Sequence, residues 1–457
     1  MKLPISKAVS IPVVCGFLSC ACFAGMNMLG DMREHLPRFF LLTSAAFGML
    51  LLAFRVWDTA AFKKRGYAFG IVLLVAIVSR LTLIGIAPSL SDDLYRYLWD
   101  GRILAHGYNP YANIPSDTVF AQYHDETYNR IGYKNYYSLY PPLTELGLGA
   151  SAWIANACFG GSTEAESILW KCMLIIADIG TILLLARILS LLRKDMKYLL
   201  LYAWHPLPII EFAGQGHSDA LMIFCLMGVV YSVMSAQRRL PAILYAAAIA
   251  SRGIPIVFAP AFLRYISIKG ILISLGIALC LFLPFYSSAA LHGIMYSTSQ
   301  VAQFFTFNSF GYWSIRSVFE QLRAWNYESF IPVILAVIFC GGLTWLYVKS
   351  RKNTAGDLPQ DMLDICTLCA LVFVNMHPWY FTWGLALVPL TASYAWLWIG
   401  FVVQFTYIHY TPHSDDALIT IGVIEYGVFI LLLLWSRMNR LDTVGKPKTI
   451  SSSLNEK

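Results

Sequence analysis

Apolar runs bounded by charge recur along the whole chain, at 8–29, 39–56, 68–87, 168–192, 198–213, 218–236, 270–287, 328–348, 362–376, 380–396, 397–411 and 417–436. A helix needs roughly 20 such residues to cross the hydrocarbon core of a bilayer. With 58% hydrophobic and 13% charged residues among 457, the chain carries too little polar surface to clothe soluble domains. In lipid every backbone N–H and C=O must be paired within the structure, and runs of this length do so as helices. The expectation is an all-α polytopic integral membrane protein, a bundle of roughly 12–14 transmembrane helices.

Two further stretches, 143–159 and 241–262, are less regular. The second is interrupted at Ser251-Arg252-Gly253-Ile254-Pro255 by a charge, a glycine and a proline, and reads as a hairpin of two half-length helices. Lys2 and Lys7 precede an apolar run too long for a signal peptide, so the N-terminus reads as a retained first anchor. Residues 1–441 then form one transmembrane domain, and 442–457, rich in Lys, Ser and Asn, a disordered cytoplasmic tail. The ten cysteines all fall inside apolar runs, where they act as small hydrophobes and no disulfide framework is expected. Cys366 and Cys369 form a CxxC on one such run, which reads as a buried helix rather than a zinc site.

The net charge of +7 comes from basic clusters such as Lys63-Lys64-Arg65, Arg238-Arg239, Lys349 with Arg351-Lys352, and Arg437 with Arg440. These short basic connections belong on the cytoplasmic side and do not make a nucleic-acid surface. The outer side receives two long connections, 88–142 and 287–327, rich in Tyr, Trp and Asn. Strict alternation holds either if 143–159 does not fully cross or if the basic group at 193–197 sits outside.

Chemistry concentrates in the first of these loops. If Ser91 caps a helix, Asp92 and Asp93 occupy its positive end, with Arg96 at i+4 and i+3. Two carboxylates at a helix start are ordinarily a cap paired to a nearby arginine. Here Tyr95, Tyr97, Trp99 and Arg102 crowd the same helix, side chains that stack on sugars and clamp phosphates, and the balance moves to function. Tyr140-Pro141-Pro142 closes the loop. Between two spans, Trp204-His205-Pro206 leads to Glu211 and then to Gly214-Gln215-Gly216-His217-Ser218-Asp219, polar groups that are costly at membrane depth unless they line a wet cavity. Arg252 at the broken hairpin suits a phosphate as well as it suits snorkelling, and Asn375-Met376-His377-Pro378-Trp379-Tyr380 offers a pocket wall. Lys171 and Asp178, seven apart on one helix face, read as a structural intramembrane pair. Ser414-Asp415-Asp416, after His409 and His413, reads as a solvated loop. No Walker A, GxGxxG, HExxH or GxSxG pattern occurs, so no nucleotide cofactor is indicated, and the paired carboxylates alone do not indicate a metal.

Asp92-Asp93-x-x-Arg96-Tyr97-x-Trp99-Asp100-Gly101-Arg102, followed by Gly107-x-Asn109-Pro110-Tyr111, resembles the first outer loop of bacterial GT-C glycosyltransferases related to polyprenol-phosphate-mannose-dependent mannosyltransferases. Tyr140-Pro141-Pro142-Leu143, Gly216-His217-Ser218-Asp219-Ala220-Leu221 and His377-Pro378-Trp379-Tyr380 resemble later motifs of that group in the same order, so the likeness runs from about 68 to 396. Two departures are Ser218, where that group has Asn, and Arg252, where many relatives have Lys. Both keep polarity and bear on the sugar more than on the reaction.

The resemblance implies a GT-C-like bundle with interfacial helices in the first outer loop, set in a bacterial inner membrane with its site facing the periplasm or exterior. It implies a polyprenyl-phosphate sugar donor, a lipid- or glycan-linked acceptor, and inverting transfer of a hexose, mannose in that group. Asp92 or Asp93 is then the general base. Arg252, with Arg96 or Arg102, meets the donor phosphate, and Tyr97, Trp99, Asn109, Tyr140, His217, Asp219, His377 and Tyr380 line the substrate pocket. A lipid or sugar transporter, which would not need the Asp92-Asp93 pair, and a non-catalytic partner subunit of an envelope complex are the alternative classes.

Overall fold

The computed structural model describes residues 5–58, 67–322, 328, 330–412 and 414–444. Regular structure among them is helical, apart from one isolated bridge between Phe307 and Asn375. The protein is an all-α polytopic membrane protein. Among the described residues six helical segments are long and apolar enough to cross a bilayer unaided: Ser10–Asn27, Leu36–Val56, Thr163–Leu191, Ile254–Phe285, Ile331–Ser350 and Ala417–Asn439. Their outward faces carry exposed aliphatic side chains such as Leu41, Ile176, Leu272, Val337 and Leu431, which a soluble protein would not leave in water.

The remaining apolar runs are shorter or broken, and three of the shorter helices, Ala68–Leu83, Asp219–Met234 and Leu240–Ser251, are apolar as well. The run at 198–213 is interrupted by Pro206 and Pro208 into short turns ending in a π-helical turn, Ile209–Gly214. Run 380–396 breaks likewise at the turn Val388–Thr391, which holds Pro389, while run 397–411 passes into the 3₁₀ segment Val403–Tyr410 with no proline inside it. An apolar run measures hydrophobicity; proline, which lacks the N–H that would bond one turn back, decides whether it stays a single helix. The stretch 143–159 is helical, as Pro142–Phe159, and lies outside the six.

The stretch 241–262 breaks where expected, at Arg252 and Gly253, between the short helix Leu240–Ser251 and a second arm that starts at Ile254; a kink at Ser267, with φ 64° and ψ 159°, ends that arm inside the segment Ala259–Cys280. Pro255 and Pro260 sit in the first turns of their elements, where the missing N–H costs nothing. The second outer connection, 287–327, is also not a plain loop: it holds the helices Ser288–Phe304 and Phe310–Gln321. In the expected tail, 442–444 complete the helix Asp415–Val444, and 445–457 lie outside the described residues, as do 63–65 and His413. Cys366 and Cys369 are buried on the helix Leu358–Val372.

Lys171 and Asp178 do not pair. Asp178 takes Arg80 Nε at 2.6 Å and the Tyr202 hydroxyl at 2.6 Å, while Lys171 Nζ donates to the Ile86 carbonyl at 2.6 Å. Residues seven apart share a face, but the charge that reaches Asp178 comes from another helix, Ala68–Leu83. Arg80 also caps the carbonyls of Ala76 and Ala203, so it ties that helix to the broken segment at 200–208.

The first-loop helix Asp93–Ala105 lies across Pro142–Phe159, and glycines set how close the two come. A Cβ on Gly101 would stand 2.7 Å from the Leu148 carbonyl oxygen. Asp178→Ala should lower unfolding stability by about 3–5 kcal/mol, because Arg80 is left charged and buried without its partner. Lys171→Met should change it by about 1 kcal/mol, the worth of one hydrogen bond. Thermal unfolding of the two variants in the same detergent checks the contrast.

Candidate functional site

The segment that delivers Asp92 and Asp93 is held from below. Gln215 Oε1 accepts the backbone N–H of Ser89 at 3.0 Å and of Leu90 at 2.8 Å, and the Tyr410 hydroxyl donates to the Leu90 carbonyl at 2.7 Å. The helix starts one residue later than the Ser91 cap would place it. Asp92 sits at the N-cap position, while Ser91 Oγ accepts the Asp93 N–H at 3.1 Å. The Asp92 carboxylate turns away from its own helix to the Gly132 N–H, 2.9 Å away. A Cβ at Gly132 would lie 2.1 Å from that oxygen, so the contact requires glycine. Arg96 does not pair with Asp92 or Asp93: its Nε donates to both Asp100 oxygens, at 2.9 and 3.0 Å, and its Nη1 to the carbonyls of Tyr133 and Tyr136.

A cavity of about 1040 Å³ opens above this helix start. Asp92, Asp93, Arg96, Tyr140, Arg252, His377 and Tyr380 line it. Three more of the sequence-identified residues lie directly behind its wall, fully buried. Arg252 Nη1 donates to Ser218 Oγ at 3.0 Å and to the Tyr97 hydroxyl at 3.4 Å, and its Nη2 stands 3.4 Å from Asp219 Oδ2. The guanidinium rests over the Tyr380 ring, 5.5 Å from its centre, and Asp219 is oriented by the Trp383 indole N–H at 2.6 Å. His217, the third, faces Asp93 from behind the wall, its Nδ1 3.6 Å from Oδ2.

The other three are placed elsewhere. Arg102 is clamped by Glu166 at 2.7 Å, Asp125 at 2.5 Å and Thr163 at 2.6 Å, beside a separate cleft. Trp99 packs against Phe120 and Tyr128 in a small cluster on the far side of the helix. Asn109 ties the first loop to the second by donating to the Phe285 carbonyl at 2.6 Å. Residues 96, 99 and 102 follow one another by a helical period, but only the first turn of Asp93–Ala105 reaches the cavity.

Aromatic rings build one wall as a continuous stack. His217 lies on Trp379 at 3.9 Å, Trp379 on His377 at 4.3 Å, and His377 on Phe307 at 4.6 Å, with planes within 18° of parallel. Phe307 reaches this stack because its segment pairs with 373–377: the Phe307 N–H donates to the Val374 carbonyl and the Met376 N–H to the Phe307 carbonyl. Burial first, then the Arg252 charge, pulls His377 down to about 3, so its ring is neutral and stacks without desolvating a charge. Opposite, Tyr133 and Tyr136 close on Phe305.

Motif reading missed Gln215 as an anchor, and Phe307, Tyr133, Tyr136, Tyr407 and His409 as cavity residues. Their only sequence signal was the tyrosine density of the first loop and the polar ends of 397–411.

Asp93 carries the most telling electrostatics. Desolvation, then the neighbouring Asp92, then Asp219 push its pKa up to about 7 against the pull of Arg252. A carboxyl held this high is protonated at mildly acidic pH and a poised base at neutral pH. The folded chain therefore binds a proton here that the unfolded chain has released between about pH 4 and 7, and stability from this group is lost as pH rises to about 7. Asp93→Asn should raise the melting temperature relative to wild type at pH 8 and leave it equal at pH 4, measured by thermal unfolding in detergent.

Among the described residues no three His, Cys, Asp or Glu side chains gather as a metal site. A model of the family described as alpha-(1->6)-mannopyranosyltransferase, N-terminal domain, matches residues 14–267, more than half of the chain. No curated protein matches.

Proposed function

The chain belongs to the alpha-(1->6)-mannopyranosyltransferase family, and from that premise we propose that it moves mannose from a polyprenyl-phosphate donor to a cell-envelope glycan or glycolipid. The setting is a bacterial inner membrane, with the cavity open to the periplasm or exterior. A site on that side meets no nucleotide-sugar pool, so an activated sugar has to arrive through the bilayer, linked to a lipid phosphate. Residues 1–441 act as one unit in this proposal, since the cavity draws its lining from Arg33 at one end of the chain to Tyr410 at the other.

The observation that carries the proposal is the proximity of a raised carboxyl, Asp93, and a charged guanidinium, Arg252, on one cavity wall. Asp93 takes the proton of the acceptor hydroxyl as that oxygen attacks the anomeric carbon. The bond from the anomeric carbon to the phosphate oxygen breaks on the opposite side, and the lipid phosphate departs with the electron pair. Arg252 meets the growing charge on that phosphate. Arg96 can assist, because its Nη2 is buried without a hydrogen-bond partner on a side chain that lines the cavity. A single in-line displacement inverts the anomer and needs no covalent enzyme intermediate. Asp93 is favoured over Asp92 as the base because the Asp92 carboxylate is already engaged by the Gly132 amide. Tyr97 and Asp219 hold Arg252, and Tyr140, His377 and Tyr380 shape the sugar pocket.

Transfer of radiolabelled mannose from synthetic polyprenyl-phosphate-mannose to membrane acceptors tests this. Asp93→Asn should lose at least about 10²-fold in rate and Asp92→Asn less. Wild-type transfer should rise with pH to a plateau above about 7, as Asp93 ionises. No transfer from any lipid-phosphate sugar, or transfer unchanged in both variants, would overturn the proposal.

A further inference from the structure

His217 stands between two carboxyl groups. Its Nδ1 is 3.6 Å from Asp93 Oδ2, and its Nε2 is 3.4 Å from Glu211 Oε2. Neither ring nitrogen has a hydrogen bond, and Glu211 Oε2 has none. Both His217 and Glu211 are fully buried. Such groups are retained away from water only when something satisfies them, and each ring nitrogen here points to a carboxyl oxygen.

The backbone aims them. Glu211 lies in the π-helical turn Ile209–Gly214, a geometry that swings one residue off the regular helical face and is common at functional sites. Gly216 turns the chain at φ +82°, and the His217 N–H returns to the Glu211 carbonyl at 3.0 Å. The ring is then fixed in its plane by Trp379. Glu211 Oε1 accepts the Tyr407 hydroxyl at 2.8 Å, and Tyr407 lines the cavity. A path thus leaves the cavity at Asp93, passes through His217 and Glu211, and re-enters it at Tyr407.

A neutral imidazole donates from one nitrogen and accepts on the other, so it bridges two carboxyls only when one of them is protonated. We infer that Asp93, His217 and Glu211 share the proton that Asp93 takes from the acceptor, and that His217 and Glu211 hold it away from the reacting centre while the sugar is transferred. The inference rests on the reading of Asp93 as the base. When the acceptor hydroxyl proton reaches Asp93, Asp93 passes a proton to Nδ1 and Nε2 passes one to Glu211. Asp93 is again a carboxylate, His217 is neutral in its other tautomer, and Glu211 is a neutral acid. When the products leave, Glu211 returns a proton to Nε2 as Nδ1 returns one to Asp93, and Asp93 gives it to the water that refills the cavity, which restores the first tautomer without rotation of the ring. Closing the two gaps by about 0.5 Å on substrate binding brings them into hydrogen-bond range. His217 and Glu211 act through Asp93 and are positioning residues. The other titratable or charged groups facing them are Asp92, Tyr97, Asp219, Arg252, His377 and Tyr407.

The test uses the full-length protein in lipid nanodiscs with the synthetic polyprenyl-phosphate-mannose donor. Glu211→Gln keeps an acceptor for Tyr407 and removes the proton acceptor. It should lower kcat at least about tenfold and leave the donor KM within about twofold. Glu211→Asp should recover part of kcat. In wild type, single-turnover rates across mixtures of H₂O and D₂O should curve, as several protons move together. Unchanged kcat in Glu211→Gln, a loss confined to KM, or a linear dependence in wild type would overturn the relay. If Asp93→Asn abolishes transfer while Glu211→Gln does not, the relay alone fails; if wild type transfers nothing, the transferase reading fails with it.

Discussion

Arg80 and Asp178 meet at 2.6 Å in the apolar interior, where an ion left alone would cost several kcal/mol. Their contact dictates more than its own geometry. Arg80 also caps carbonyls at Ala76 and Ala203, and Asp178 takes the Tyr202 hydroxyl, so three elements distant in sequence converge on one pair. The segment that Pro206 and Pro208 break is tied to that anchor through Tyr202 and Ala203. Irregular backbone survives inside a membrane bundle only where other groups pair with it.

The same requirement operates around the cavity. The break at Arg252 exposes a guanidinium that Asp219, Ser218 and Tyr97 receive, and the turn carrying Ser218 and Asp219 is held by the Trp170 and Trp383 indoles. Gln215 in that turn holds Ser89 and Leu90, and these place the start of the first-loop helix. Loss of one polar partner in this chain therefore displaces the next, linking residues from 80 to 410 by contact rather than by sequence.

Electrostatic tension at Asp93 is the functional residue of this arrangement. Arg96, the arginine nearest in sequence, is spent on Asp100, so Asp93 faces Asp92 and Asp219 with Arg252 and a hydrogen bond from Tyr97 to offset them. Had Arg96 turned to Asp93, the carboxyl would be an ordinary ionised cap. The stack from His217 to Phe307 contributes rigidity, since ring planes packed at about 4 Å leave the imidazole no room to rotate.

Sequence alone determined the solvent of this chain, its helical class, and the polar islands where chemistry gathers, because hydrophobic runs and helix-breaking residues are local properties. Asp92, Asp93, Arg252, His377 and Tyr380 were legible as odd polar groups beside apolar runs, and all five line one cavity. Which apolar runs stay single helices was not legible, because the prolines at 206, 208 and 255 act through the hydrogen bond or packing that each position offers. Nor were the partners: Lys171 was seven residues from Asp178, yet Arg80, 98 residues away, took it. Arg102 and Trp99 share a motif with Asp93 but face another cleft, because the crossing of the first-loop helix over Leu148 turns that side away. Spacing along a chain fixes which side chains share a face; only the packing of helix on helix decides what that face meets, because a buried charge pairs with whatever opposite group the bundle brings within reach.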